Sequence, residues 1–375
     1  MIKVCHLTSV HLPTDTRILL KECHSLAHNG YDVVFIVPTN RETAHNGVII
    51  KAVPIVGNRF WRMCLLPWMV LSRAIGEKAD IYHFHDPELI PVGICLKILG
   101  HRVIYDSHES VSGDILTKSY IPFPFRRLIS TTIGWLESLG ARLFDGIIAA
   151  TPFIAQSFPP QKTAVIQNFP LPDELSVGGR GHNDVKGTRL IYMGSISDIR
   201  GIKEMVRAMD LLPPNRDVRL LLVGRFSSQA FEDEIRSLPG WGMVDFYPWQ
   251  DRTALAEMIS GCLLGLILLH PAPNHYNAYP NKLFEYMSAG LPVLASDFPL
   301  WREIVLGSGC GRLVDPVDPK AIAGEIDWFL SHPKESAEMG ELGRKAILES
   351  FNWRNEEGKL VEFYRRVLRG NQVLQ

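Results

Sequence analysis

The feature that most constrains this chain is an alternation that runs twice. Short apolar, β-branched runs alternate with segments of helical period, first over residues 2–167 and again from residue 189 onward. In the first series, residues 2–7, 32–37, 47–54, 81–84, 102–105, 146–150 and 163–167 predict strands, and 17–29, 61–75, 87–99 and 121–144 predict helices. Strands joined by crossover helices pair in parallel, and a parallel sheet is covered on both faces. The pattern stops at Asn168: NFPLPDELSVGGRGHNDVKG is polar, aperiodic and rich in Gly and Pro, as linkers are. It then restarts, with strands predicted at 189–193, 218–223, 244–246, 262–269 and 292–295. Helices are predicted at 202–209, 231–238, 255–260, 282–288, 320–330 and 338–368, the last broken near Asn352.

The expected fold class is therefore α/β with two Rossmann-like domains, residues 1–168 and 188–352, a linker over 169–187 and a closing helix over 353–375. A length of 375 residues suits two cores rather than one. Open α/β sheets bind ligands at the carboxyl ends of their strands, so two such sheets facing each other would make the cleft between them the default site.

Composition narrows the class further. A formal net charge of -1 gives no global attraction to nucleic acid. Cys5, Cys23, Cys64, Cys95, Cys262 and Cys310 show no C-x-x-C spacing and read as reduced thiols of a cytoplasmic protein. MIKVCHLTSV lacks the character of a signal peptide and reads as a first strand. The most apolar stretch, FWRMCLLPWMVLSRAI at residues 60–75, is too short for a membrane span and is interrupted by Arg62, Pro67 and Arg73. No Walker-type loop, H-E-x-x-H or other metal-ligand spacing occurs. Gly307-Ser-Gly-Cys-Gly311 does not follow a predicted strand and open a helix, so no dinucleotide fingerprint is present.

The segment PNKLFEYMSAGLPVLASD, residues 280–297, carries the chemistry. A buried strand is predicted to end near Leu269, and a helix to begin at Asn281 or Lys282 after Pro280. The N–H groups of a first helical turn and the dipole behind them form an anion site. Lys282 adds a positive charge in the same turn. Glu285, one turn on, is placed to accept hydroxyl protons from a ribose. A solvated surface helix would also carry this Lys and this Glu.

The segment resembles the nucleotide-binding signature of glycosyltransferase family 4, bacterial retaining enzymes of the GT-B fold. That signature is a Glu, then seven residues, a second Glu, and a helix ending in Gly-x-Pro before a short strand. Glu285 matches the second Glu. Asn277 stands where the first belongs, a position the family uses at the donor sugar or in catalysis. The P-N-K-L-F-E-Y form resembles transferases of surface-polysaccharide synthesis. Gly194-Ser-Ile-Ser-Asp-Ile-Arg200-Gly201 resembles the family's diphosphate loop, with Arg200 in place of its Lys and Ser195 in place of its Arg. Lys282 or Arg225 would make good the missing cation. Leu221-Leu-Val-Gly224 resembles the strand and turn beneath the nucleotide. Phe246-Tyr-Pro-Trp249 lies where the family holds the base, with core packing the alternative role for Tyr247 and Trp249. The implied donor set is Gly194, Arg200, Gly224, Arg225, Tyr247, Tyr279, Asn281, Lys282 and Glu285.

In the first half, His11-Leu-Pro-Thr-Asp15-Thr-Arg17 forms the first strand-to-helix loop, where the family places acceptor and phosphate contacts. Asp15 can alternatively cap the helix that follows. His83-Phe-His85-Asp86 and Asp106-Ser-His108-Glu109 both follow predicted strands, and the second resembles the family segment whose His lies beside the donor sugar. The resemblance thus implies His108 and Asn277 as catalytic, and Asp15, Arg17, His85 and Asp86 on the acceptor side. It also implies a C-terminal helix that returns to the N-terminal domain.

It further implies transfer of a hexose from UDP-sugar or GDP-sugar, UDP favoured, to a saccharide or lipid-linked acceptor, with retention and with neither cofactor nor metal. Residues 60–73 and 118–127 (KSYIPFPFRR) mix aromatics with cations as interfacial segments do, which suggests work at the inner face of the plasma membrane. Packing on the domain is the other role open to them. A UDP-sugar epimerase of the same architecture and a non-catalytic nucleotide-sugar-binding subunit are the competing readings.

Overall fold

The computed structural model describes residues 1–108, 123–172 and 188–370. Glu109, residues 118–122 of the second interfacial segment and most of the predicted linker lie outside the described residues. The chain forms two compact units, Met1–Asn168 with Trp353–Gln375, and Phe169–Asn352.

The first unit is built on eight strands: β1 (Lys3–Leu7), β2 (Asp32–Pro38), β3 (Thr43–His45), β4 (Val48–Val53), β5 (Ile81–Phe84), β6 (Arg102–Ser107), β7 (Gly146–Ala149) and β8 (Thr163–Val165). Their spatial order is β3-β4-β2-β1-β5-β6-β7-β8, parallel except for β3. The central strands β5 and β7 are buried at every residue, as continuous apolar runs in a doubly covered sheet must be. The short β3, exposed at each position, carries no apolar pattern that would announce it.

Three helical features of this unit matter for function. The predicted helix at 17–29 begins as a π-helical stretch, Thr16–Cys23, capped by Asp15 and continued by His24–His28. Its widened turn is seen in the Leu20 N–H bonding back to the Asp15 carbonyl at 3.3 Å. Helix Arg59–Glu77 starts at an Asn58 cap. Helix Trp353–Arg369 packs on this same unit: the Trp353 indole donates to Ser25 Oγ at 2.9 Å, and the Tyr364 hydroxyl lies 2.6 Å from His83 Nδ1. The break before it falls at Asn352, whose amide donates to the Ile347 and Leu348 carbonyls and closes helix Pro333–Glu349. Among the described residues no helix is long and apolar enough to cross a membrane.

The second unit has six parallel strands: β9 (Thr188–Ile196), β10 (Val218–Phe226), β11 (Val244–Tyr247), β12 (Leu264–Ile267), β13 (Val293–Ser296) and β14 (Gly311–Val314), in the order β11-β10-β9-β12-β13-β14. Helix Pro299–Ser308 and β14 were not predicted. The glycine-rich 307–311 segment is the turn joining them: Gly309 ends the helix at φ +67° and Gly311 opens the strand. A core lies on each face of the sheet. Leu190, Leu220, Leu222 and Ile326 belong to one, and Ile191, Leu221, Tyr286 and Trp301 to the other. Burying one such side chain contributes roughly 1.5–3 kcal/mol.

One contact sets the height of helix Asn281–Ser288. A Cβ at Gly265 of β12 would lie 2.4 Å from the Tyr286 ring, so glycine there lets the ring lie against the strand. The Tyr286 hydroxyl then accepts from the Met193 N–H at 3.1 Å and donates to the Ile191 carbonyl at 3.3 Å. The helix start is thereby pinned beside the end of β9.

Candidate active site

Strand order in the second unit reverses between β9 and β12, and ligands of such sheets bind beyond the carboxyl ends at that reversal. The loops that follow these two strands meet there, the His270 N–H donating to the Ile199 carbonyl at 3.0 Å. The β9 loop hugs its neighbours because two of its positions are glycine. At Gly201, φ is +70° and a Cβ would lie 1.9 Å from the Leu268 carbonyl oxygen. At Gly194, φ is +126° and a Cβ would lie 3.1 Å from Lys282 Nζ. Gly224, at the end of β10, approaches the Gly194 carbonyl so closely that a Cβ would lie 1.8 Å from its oxygen. Only glycine adopts these dihedrals without cost and leaves this room.

Lys282 sits in the first turn of helix Asn281–Ser288, whose entry residue Pro280 offers no capping side chain. Its ammonium lies 4.2 Å from the Tyr192 ring centroid and donates to Tyr192 Oη at 3.1 Å. The Tyr192 hydroxyl in turn donates to the Ser195 carbonyl at 2.6 Å. Burial, and then the positive charge of Arg200, lower the Lys282 pKa to about 7. The permanent point charge expected from the sequence is therefore an ammonium poised to lose its proton near neutrality. Arg200 itself ends the turn Asp198–Arg200, half-buried, while Arg225 is exposed.

Glu285 is half-buried and 3.4 Å from Arg252 Nη2. Tyr279 stacks on Phe284 at 6.2 Å and meets Phe169 edge-on at 6.3 Å, so its ring belongs to an aromatic cluster. Tyr247 is 37% and Trp249 73% exposed, which sets aside core packing as the role of Trp249. Asn277 follows the short helix Pro273–Tyr276 in the loop beyond β12. Next to this group lie residues the sequence reading did not select: Arg252, His270 bonded to Glu204 Oε2 at 2.9 Å, and the buried His275 bonded to the His270 carbonyl at 2.7 Å. Their spacing in the chain follows no motif.

In the first unit the order reverses between β1 and β5. Asp86, after β5, ties down the loop after β1 by accepting from Thr8 Oγ at 2.7 Å and from the Ser9 N–H at 2.6 Å. Despite its burial, its hydrogen bonds to His11, Ser9 and Thr8 hold its pKa down to about 2. His11 bridges Asp15 at 3.0 Å and Asp86 at 3.3 Å. Partial burial works against its charge, but the two carboxylates raise its pKa to about 10, so an imidazolium stands here at neutral pH. Its ring meets that of His108 edge-on at 5.2 Å. His11, His108 and Asp15 keep a quarter or so of their side chains exposed, and the sequence reading named His11 without selecting it.

Arg17 and His85 are placed differently from expectation. Arg17 is buried, its guanidinium paired bidentately with Asp106 at 2.8 and 2.9 Å and donating to the Ile166 carbonyl. His85 is buried between His6 and Asp106. Both are engaged beneath the strand ends rather than presented above them, because the π-helical stretch turns Arg17 inward and β5 points His85 to the covered face. Asp86 is likewise buried and acts through the loop it holds.

One face of helix Arg59–Glu77 exposes Phe60, Trp61, Leu65 and Trp68, and helix Phe123–Leu143 exposes Phe125 and Trp135.

Comparison with known proteins agrees with this architecture. Residues 16–169 match the model of Glycosyltransferase Family 4, and residues 180–346 match that of Glycosyl transferases group 1. An MMP alpha-(1->4)-mannosyltransferase of Mycolicibacterium hassiacum is 25% identical over 313 residues, 78% of this chain and 72% of that one. A GDP-mannose:cellobiosyl-diphosphopolyprenol alpha-mannosyltransferase of Xanthomonas oryzae is 22% identical over 351 residues, 90% of this chain and 87% of that one. The fold superposes on a sucrose-phosphate synthase of Thermosynechococcus elongatus with a TM-score of 0.79 at 18% identity, covering 98% of this chain and 100% of the other. With both halves matched and two Rossmann-like parallel sheets in place, the chain belongs to the family 4 glycosyltransferases of the GT-B fold.

Proposed function

We propose that this glycosyltransferase moves a hexose from a nucleoside diphosphate-hexose to a saccharide or lipid-linked saccharide, with retention of anomeric configuration and no divalent metal at the diphosphate. The observation that carries the reading is Lys282 Nζ at the first turn of helix Asn281–Ser288, facing the glycine loop at the strand reversal. A diphosphate placed there meets the helix N-terminus, Lys282 and Arg200, which together stabilise charge developing on the leaving group. Glu285 receives the ribose hydroxyls, Tyr247 and Trp249 cover the base, and Asn277 hydrogen-bonds the sugar. Attack from the face of the departing phosphate accounts for retention without an enzymatic nucleophile. His108 and the His11–Asp15–Asp86 group serve the sugar and the acceptor.

Donor choice moves from UDP toward GDP-mannose, because the name of the Xanthomonas relative specifies that donor. The same name specifies a diphosphopolyprenol acceptor, and the exposed aromatics of helices Arg59–Glu77 and Phe123–Leu143 suit docking at a lipid surface where such an acceptor resides.

The deciding experiment is thermal-shift and calorimetric titration with GDP, UDP, GDP-mannose and UDP-glucose on wild type and Lys282→Met. Stabilisation by GDP and GDP-mannose, lost in the variant, supports the reading. A response to UDP compounds alone overturns the donor choice, and no response to any of the four overturns the site. Turnover of a nucleotide sugar without acceptor would favour the epimerase reading. Failure of the wild type to sediment with anionic liposomes would remove the membrane element.

A further inference from the structure

A second polar centre lies beneath the sheet of the first unit and plays no part in the transfer just described. His6 of β1 and His83 of β5 are register partners, and His85 follows two residues later on the same face. Glu22 enters from the π-helical stretch Thr16–Cys23, whose wide turn brings Arg17 and Glu22 to one side. All four groups, His6, Glu22, His83 and His85, are buried to within 1%. One ligand atom from each lies within 4.8 Å of the others.

The protons of this cluster can be followed in turn. His85 Nδ1–H donates to Asp106 at 3.0 Å, which leaves His85 Nε2 as an acceptor. His6 Nδ1 lies 2.9 Å from that nitrogen and donates to it. The Tyr364 hydroxyl donates to His6 Nε2 at 3.3 Å and accepts from His83 Nδ1 at 2.6 Å. Among the described residues His83 Nε2 then finds no hydrogen-bond partner, and the buried Glu22 carboxyl rests against Arg17 and Asp106. The Arg17 guanidinium lies 3.1 Å from Glu22 Oε1 and is shared with Asp106. A buried imidazole nitrogen whose lone pair has no donor is costly unless a donor or a cation meets it.

The geometry points to a structural transition-metal site formed by His6, His83, His85 and Glu22. Three imidazoles and one carboxylate suit Zn²⁺ in a closed tetrahedral shell. With ligand bonds of about 2.0–2.2 Å, the widest pair must close by roughly 1.5 Å, and the His6–His85 pair must open slightly. The outer shell is already present: Asp106 holds His85 by its other nitrogen, and Tyr364 holds His6 and His83. Burial keeps all three imidazoles neutral and pushes the Glu22 carboxyl up, so metal binding displaces the proton of Glu22 and shifts that of His6 from Nδ1 to Nε2, leaving a neutral imidazole ligand. Bound metal would join β1, β5 and the π-helical turn, and through Tyr364 the C-terminal helix.

The test uses untagged full-length protein, stripped with chelator and titrated with Co²⁺ and Zn²⁺. We expect about one equivalent of tightly bound ion, the intense visible absorption of tetrahedral cobalt, and a rise in Tm with Zn²⁺. Glu22→Gln and His83→Gln should each weaken Co²⁺ binding by roughly tenfold or more, while Cys64→Ser, at an exposed thiol, leaves it unchanged. Less than about a tenth of an equivalent bound to wild type, with no tetrahedral spectrum, overturns the site, as does binding indifferent to both substitutions. The wild-type spectrum decides alone if the variants fail to fold. None of these readouts depends on sugar transfer.

Discussion

Both parallel sheets reverse their strand order once, yet the two reversals use polar groups in opposite ways. In the first unit the space under β1, β5 and β6 is filled with ionisable side chains whose bonds are already made: Arg17 to Asp106 and the Ile166 carbonyl, His85 to Asp106 and His6, Asp86 to the Thr8 hydroxyl and the Ser9 N–H. In the second unit Gly194, Gly201 and Gly224 put no side chain at the corresponding ends, where the loops pack backbone to backbone, and Lys282 reaches in with a hydrogen bond to Tyr192. One set of polar groups holds strand ends and loops in place. The other is available to an incoming anion. Removing a charge should therefore cost stability in the first unit and ligand affinity in the second.

The largest effect that could break this contrast is at Asp106. Asp106→Ala leaves Arg17 buried without its bidentate partner, and loss of one member of a buried pair costs about 3–5 kcal/mol. Urea unfolding should show that loss, while the protein that remains folded keeps its affinity for GDP. An unaltered unfolding midpoint would mean the network is not structural. Lys282→Met is the counterpart. Turnover should fall roughly 10²–10³-fold, the scale for removing one group that stabilises transition-state charge. Stability should hold or rise, because the replacement takes a cation with a depressed pKa out of a half-buried place. A variant that loses stability and keeps turnover would reverse the assignment.

A smaller effect is read in pH. Lys282 loses its proton as pH rises through about 7 in the free enzyme, whereas a bound diphosphate favours the ammonium and raises that pKa. GDP affinity should then fall above pH 7, by up to about tenfold per unit, until the pKa of the complex is reached. Lys282→Met should flatten the profile, and calorimetry across the range would show proton uptake on binding by wild type alone.

How much of this was legible before the structure differs between the units for a physical reason. The helix Asn281–Ser288 and its Pro280, Lys282 and Glu285 are adjacent in sequence, so local rules of helix entry and anion binding suffice to find them. The glycines 194, 201 and 224 announce themselves by type. What was not legible depends on contacts distant in the chain: Arg17 with Asp106 is 89 residues apart, and His83 with Tyr364 is 281 apart. The inward turn of Arg17 further depends on a π-helical stretch that no periodicity in TRILLKEC marks. Helix Pro299–Ser308 and β14 were missed because a four-residue strand and a glycine turn give too little pattern. The depressed pKa of Lys282 was likewise hidden, since it comes from burial and then from the positive charge of Arg200, and the residue looks exposed in sequence.

The smallest effect separates two roles that meet in one residue. Asp15 accepts from the Ile18 N–H at 2.9 Å as a helix cap, and its other oxygen bonds His11 at 3.0 Å. Asn caps as well as Asp does, so Asp15→Asn keeps the first role and removes the second, whereas Asp15→Ala removes both. Alanine should cost about 1 kcal/mol of stability near pH 7 from the lost cap, beyond any change shared with asparagine. His11 is stabilised as a cation in the folded state, with its pKa raised to about 10. That contribution is fully present below its unfolded pKa and is lost as pH rises through 10. In Asp15→Asn the folded pKa should drop, with Asp86 still holding part of the shift, so the loss of stability begins at lower pH. Imidazole resonances followed by NMR titration would give the His11 pKa directly. If asparagine leaves it unmoved, the charge on His11 is set by Asp86 alone, and Asp15 belongs with the groups that only hold structure.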